Sequence, residues 1–206
     1  MLLLLLCISM AASANEVVID RIAVIVGRTP ILDSDISRDL RVTAFLNEKP
    51  PEFSAAARRK AASRLIDQEL IRQQIRLGGY PMTSQAETEQ TLSALKHERF
   101  GEESRFRQAL LQYQISPTEL RERLSWQLTA LHFIDTMFRP QVTVSDPDIQ
   151  TYYDAHRANF GAAPLGSVRT AIVDTITEER VNRLLDQWLA ESRAATHIVY
   201  LEKSLV

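Results

Sequence analysis

The side chains able to do chemistry in this 206-residue sequence are few and scattered. Four histidines, His97, His132, His156 and His197, stand far apart, and none has a second ligand at a metal-binding spacing such as H-E-x-x-H. Single histidines on helices are mostly structural. Cys7 is the one cysteine, so the rest of the chain has no thiol nucleophile and no thiolate ligand. Acids cluster twice, in Asp33-Ser34-Asp35 and in Ser145-Asp146-Pro147-Asp148. Neighbouring carboxylates suit general acid–base work or a cation, but both groups fall at predicted helix starts, where free backbone N–H groups and the helix dipole favour them. There is no G-x-S-x-G elbow, no phosphate-cradling glycine loop and no G-x-G-x-x-G, and six glycines would scarcely furnish such loops. The residues show no active site, and no catalytic, cofactor or metal site is expected.

Composition narrows the class further. Apolar residues make up 45% and charged residues 24%, ordinary values for a soluble globular protein of one domain or two small ones. A net charge of -2, with acids interleaved among the many arginines, gives no footprint for nucleic acid and reads as solvated helix faces. The opening "MLLLLLCISMAASANE" has a leucine-rich run followed by Ala12-Ser13-Ala14, and residues 1–14 read as a signal peptide cut after Ala14, although no Lys or Arg precedes the leucines. Leu6 is too bulky for Cys7 to be a lipidation site, and the run is far short of the ~20 residues that span a bilayer. Export to a periplasm-like compartment is expected, with a core that must hold without disulfides.

The elements that would position these residues are mostly helical. Val17 to Leu32, rich in β-branched residues around Gly27-Arg28, reads as a hairpin. "DSD" then offers capping oxygens for a helix to about Leu46, stopped by Pro50-Pro51. A helix from Ser54 to Leu77 ends on Gly78-Gly79, and Ser84 with Glu87 forms a capping box for the next, to about His97. Phe106, Ala109, Leu110 and Tyr113 mark a fourth helix, and Ser116-Pro117-Thr118-Glu119 is the clearest start signal of all. The long helix behind it, to about Phe138, carries Leu120, Leu124, Leu128 and Leu131 on one face and Trp126, Phe133 and Met137 on another. A helix apolar on both sides is buried between layers or shows one face to a partner.

After Pro140 and the linker "QVTV", Ser145 starts a helix whose Ile149, Tyr152, Tyr153, His156 and Phe160 share a side, more in keeping with core than with a binding stripe. Residues 165 to 195 look helical, with Val181, Leu184, Leu185 and Trp188 in a stripe, although "VRTAIVDTI" is β-branched enough to speak against it. "THIVYLE" at 196 to 202 reads as a strand that pairs with the hairpin, since a third strand would stabilise it. The fold class expected is mainly α, a helical core with a small antiparallel sheet made by the N-terminal hairpin and the C-terminal strand. Its two parts are residues 15–143 and residues 144–206, the second packing back on the first.

Four stretches together resemble the SurA family of periplasmic chaperones, relatives of the parvulin-type prolyl isomerases. "DRIAVIVGRTPILDSDI" resembles that family's opening hairpin and first helix start, and "RLIDQELIRQQIRLGGYPMT" the segment that follows. "VSDPDIQTYYDAHRANF" resembles the helix that leads up to the parvulin domain, and "EERVNRLLDQWLAESRAATHIVYL" the C-terminal helix and strand. Their order and spacing cover nearly all of the chain after residue 14. In family members with isomerase activity a parvulin domain sits between the last two segments; here only "GAAPLG" and its neighbours stand there, and the H-I-L and G-G-D-L-G signatures are missing.

The resemblance implies an ATP-independent chaperone core for unfolded exported or outer-membrane proteins, without prolyl isomerase activity. The competing expectation is a docking or regulatory subunit of a separate parvulin-type isomerase. A third is a homodimer made by exchange of the C-terminal helix and strand, which a joint too short to fold back would favour. If clients bind an apolar face, Trp126, Phe133 and Met137 are the first candidates; burial of the three under the C-terminal helix is the competing and favoured expectation.

Overall fold

Strand β1 (Ile22–Val26) lies at the centre of the only sheet among the described residues, paired antiparallel with β2 (Thr29–Leu32) on one side and β3 (Ile198–Tyr200) on the other. A computed structural model describes residues 20–205; the expected signal peptide with its cut after Ala14, and the first residues of the hairpin expected from Val17, lie outside the described residues. The hairpin turn needs left-handed backbone, which Gly27 supplies at φ 62° without strain. The Gly27 N–H donates to the His197 carbonyl at 2.8 Å, so the turn is also tied to the returning C-terminal strand.

Eight α-helices surround this sheet: α1 (Asp33–Leu46), α2 (Ala55–Gly78), α3 (Gln85–Arg99), α4 (Glu103–Tyr113), α5 (Pro117–Met137), α6 (Asp146–Ala155), α7 (Arg157–Phe160) and α8 (Leu165–Ala195). The fold is mainly α with a small antiparallel sheet, as the sequence predicts. No helix among the described residues is long and apolar enough to cross a membrane.

The helix starts follow their caps, with two differences. The Ser116 hydroxyl accepts the Glu119 N–H at 3.1 Å and the Glu119 carboxylate accepts the Ser116 N–H at 2.6 Å, a complete capping box with Pro117 in the first turn. Ser145 and Asp148 form a second. At α3 only half the expected box exists: Ser84 accepts from Glu87, but the Glu87 side chain accepts from the Thr83 hydroxyl and faces His132 instead. At α1 the capping position falls on Leu32 rather than on the acids, which sit inside the first turn, where Asp35 accepts the Leu32 N–H at 2.9 Å. The strand runs straight into the helix there, leaving no loop residue to act as cap.

Four apolar clusters hold the molecule together. The sheet, α1 and α2 enclose Val24, Val26, Ile36 and Ile66, joined by Leu205. Helices α1, α3, α4 and α5 meet around Phe45, Phe106 and Leu120. Helices α2, α5 and α8 meet around Ile71, Ile75, Phe133, Phe138 and Val181. The last cluster is Ile149 and Tyr153 of α6 against Ile172 and Ile176 of α8.

The segment "VRTAIVDTI" is helix despite its β-branched content, because Ile172 and Ile176, four apart, present one apolar edge to α6. Of the four-leucine face of α5, Leu120 and Leu124 are buried, while Leu131 is 51% exposed. Between α6 and α8 the chain makes only α7 and a turn at Gly161, and the Tyr153 hydroxyl closes that turn by donating to the Ala163 carbonyl at 2.7 Å. The joint folds back so that α6 packs on α8, and β3 pairs with β1.

Candidate functional site

The three residues of α5 named as first candidates for client contact, with burial the favoured expectation, part company. Phe133 has no exposure at all: it packs edge-on against Tyr80 at 5.1 Å and Phe138 at 6.0 Å, and against Trp188 of α8 at 5.8 Å. It is core, and it cannot touch a client in the folded protein. Met137 is half-buried against the same cluster. Both lie under α2 and α8, which cover the C-terminal half of α5. Trp126, two turns before Phe133, is half-buried: it packs against the same cluster and also lines a groove.

That groove has two lobes, of about 280 and 440 Å³, one on each side of Trp126, and Arg72, Glu122 and Trp126 line both. The first lobe is walled by β2, α1, α2 and α5, with Ile31, Val42 and Leu65 as its apolar lining. The second lies between α2, the start of α3 and α5, where Met82, 66% exposed, overhangs it. Elements distant in sequence therefore converge on one indole.

The acids of the first lobe, Glu122 excepted, are bound to cations or donors. Arg38 bridges Asp35 at 3.1 Å and Glu119 at 3.0 Å, tying α1 to α5. Partial burial works to raise the Glu119 pKa, but the hydrogen bonds from Ser116 and Arg38 outweigh it and hold the carboxyl below its usual range. Asp39, only 4% exposed, is held by Arg123 at 2.6 Å and by Arg64. Buried Glu69 accepts at one oxygen from the Thr29 hydroxyl at 2.9 Å, Arg76 at 3.0 Å and Gln73 at 3.1 Å. These carboxylates fix the positions of α1, α2 and α5 and leave no pair arranged for proton transfer.

Arg72 differs. Its guanidinium carbon lies 4.3 Å over the centre of the Trp126 ring, and burial pushes its pKa below the ordinary arginine value. Among the described residues it has no carboxylate at ion-pair distance, although it is only one helical turn from Glu69. The sequence reading grouped the arginines as solvated faces, so Arg72 and Glu122 were not singled out. The usable signal was the position of Arg72 next to the apolar residues Ile71 and Ile75, which places it beside a buried face.

The histidines and the acid clusters do not assemble: among the described residues, no three His, Cys, Asp or Glu side chains come together in a way that could hold a metal ion. Tyr152 stacks on His156 at 4.1 Å, and Tyr153 lies in the α6–α8 core. Compared with protein-family models and with curated proteins, the chain matches none.

Proposed function

We propose that this chain is an ATP-independent chaperone that holds unfolded exported or outer-membrane proteins in a periplasm-like compartment and has no prolyl isomerase activity of its own. The observation that carries the reading is the pair of neighbouring pockets that both have Trp126 in their lining. A holding chaperone needs a preformed, partly apolar channel that an extended chain can enter along its length, and it needs no reacting group. The indole supplies a large contact area at small entropic cost, and Met82 at the rim adapts to varied side chains. The resemblance of four ordered sequence stretches to the SurA family supports the same reading.

The test is to dilute a urea-unfolded outer-membrane protein into buffer without ATP, with an equimolar amount of the chain from Asn15 onward, and to follow turbidity. Suppression well beyond that given by an inert protein is the expected result. No suppression by a folded sample would overturn the proposal. Recovery of a separate parvulin-type isomerase on the same sample would then favour the docking-subunit role.

A further inference from the structure

We infer that the groove reads a carboxylate: Arg72 receives an internal Asp or Glu side chain of an extended polypeptide segment bound across Trp126. This deepens the client-holding function proposed above and rests on it. Four arginines line the groove, and three are engaged: Arg38 with Asp35 and Glu119, Arg121 with Glu89, and Arg123 with Asp39. Arg72 alone has no ion-pair partner among the described residues; Glu69, the acid nearest in sequence, accepts from Thr29, Gln73 and Arg76 at one oxygen and acts on Arg72 only through its charge.

The ring of Trp126 occupies one face of the Arg72 guanidinium, whose N–H donors have no side-chain or backbone acceptor among the described residues. A partly buried cation with unused donors is the arrangement that a planar carboxylate completes, by two parallel hydrogen bonds.

The geometry also selects which carboxylate. The two lobes share Arg72, Glu122 and Trp126, so a segment long enough to occupy both has Arg72 beside its middle rather than its end. That favours a side chain in the middle of a segment over a chain terminus. Glu122, exposed and without an ion-pair partner among the described residues, repels a second acid and so confines the carboxylate to the Arg72 position.

The test compares three dye-labelled peptides of one sequence by fluorescence anisotropy with the intact folded protein. Two are capped at both ends and carry Glu or Gln at the centre; the third carries Gln and a free C-terminal carboxylate. Wild type is expected to bind the Glu peptide about tenfold more tightly than the capped Gln peptide. The preference should shrink as salt is raised. Arg72→Gln should bind the two capped peptides alike.

Equal binding of the two capped peptides by wild type, which requires no variant, would overturn the inference. So would a preference that persists in Arg72→Gln, or a free terminus that restores tight binding to the Gln peptide as fully as an internal Glu. A wild-type protein that suppresses client aggregation yet ignores the Glu–Gln difference refutes the carboxylate site and leaves the holding function standing. One that neither suppresses aggregation nor binds any of the peptides refutes both.

Discussion

Asp39 is buried where Arg64 and Arg123 reach it from α2 and α5. Removing one member of such a set strands the others, so Asp39→Ala is expected to cost about 3–5 kcal/mol. In a chain of this size that lowers the melting temperature by on the order of 10 °C, which calorimetry would read. Arg76→Ala, at a side chain 60% exposed, should cost no more than about 1 kcal/mol, since Glu69 keeps Thr29 and Gln73. The two aromatics of α5 should separate in the same way. Phe133→Ala leaves a cavity among Tyr80, Phe138 and Trp188 and is expected to cost about 3–5 kcal/mol. Trp126→Ala should shift the melting temperature less and abolish most of the protection of an unfolded client. A thermal loss from Trp126→Ala as large as that from Phe133→Ala would make Trp126 a core residue and not a contact.

At the scale of elements, the α6–α8 hairpin is closed by apolar contacts and by ion pairs at its surface. Asp148 is bound by Arg180 at 2.8 Å and by the N–H and hydroxyl of Ser145, and these hold its carboxyl well below the usual range. A depressed folded-state pKa stabilises the fold above the ordinary aspartate value of about 4, and that contribution is lost as pH falls through the folded-state value. The melting-temperature difference between wild type and Asp148→Asn should therefore be present at pH 6 and shrink steadily below about pH 4. A difference that stays constant to pH 2 would show that the carboxylate contributes nothing through its charge. High salt should also shrink it, because the pair is at the surface.

The helix starts and stops were legible in the sequence because caps act locally: Ser116, Pro117 and Glu119 settle their own geometry, and Gly79 ends α2 at φ 64°. The start of α1 was misread because a strand running straight into a helix presents the same acids without a loop. The covered face of α5 was legible only as apolar. Where α8 stops covering it depends on packing between residues some fifty positions apart, and this is what separates Trp126 from Phe133. Arg72 was hidden for a related reason, since the sequence places it among the arginines of solvated helix faces and only packing sets it against Trp126.

Over the whole molecule, the chain ends of the described region close on each other. Arg58 of α2 bridges Asp33 at 2.5 Å and Glu202 at 2.9 Å, and Arg193 of α8 binds Asp67 and Ser63 of α2, so the returning strand is fixed on both flanks. This holds α2 rigidly against the sheet, and α2 is the wall that carries Arg72 to Trp126. The groove is thus built by the closure of the fold, and a client in it would meet a preformed channel. The most direct measurement places a photoreactive amino acid either at Ser125, in the groove, or at Leu111, an apolar residue of α4 that is 77% exposed and outside it, and illuminates each protein with an unfolded outer-membrane protein. Cross-linking at Ser125 well above that at Leu111 is the predicted result. Equal yields at the two positions, or a higher yield at Leu111, would contradict the claim that the groove at Trp126 holds the client.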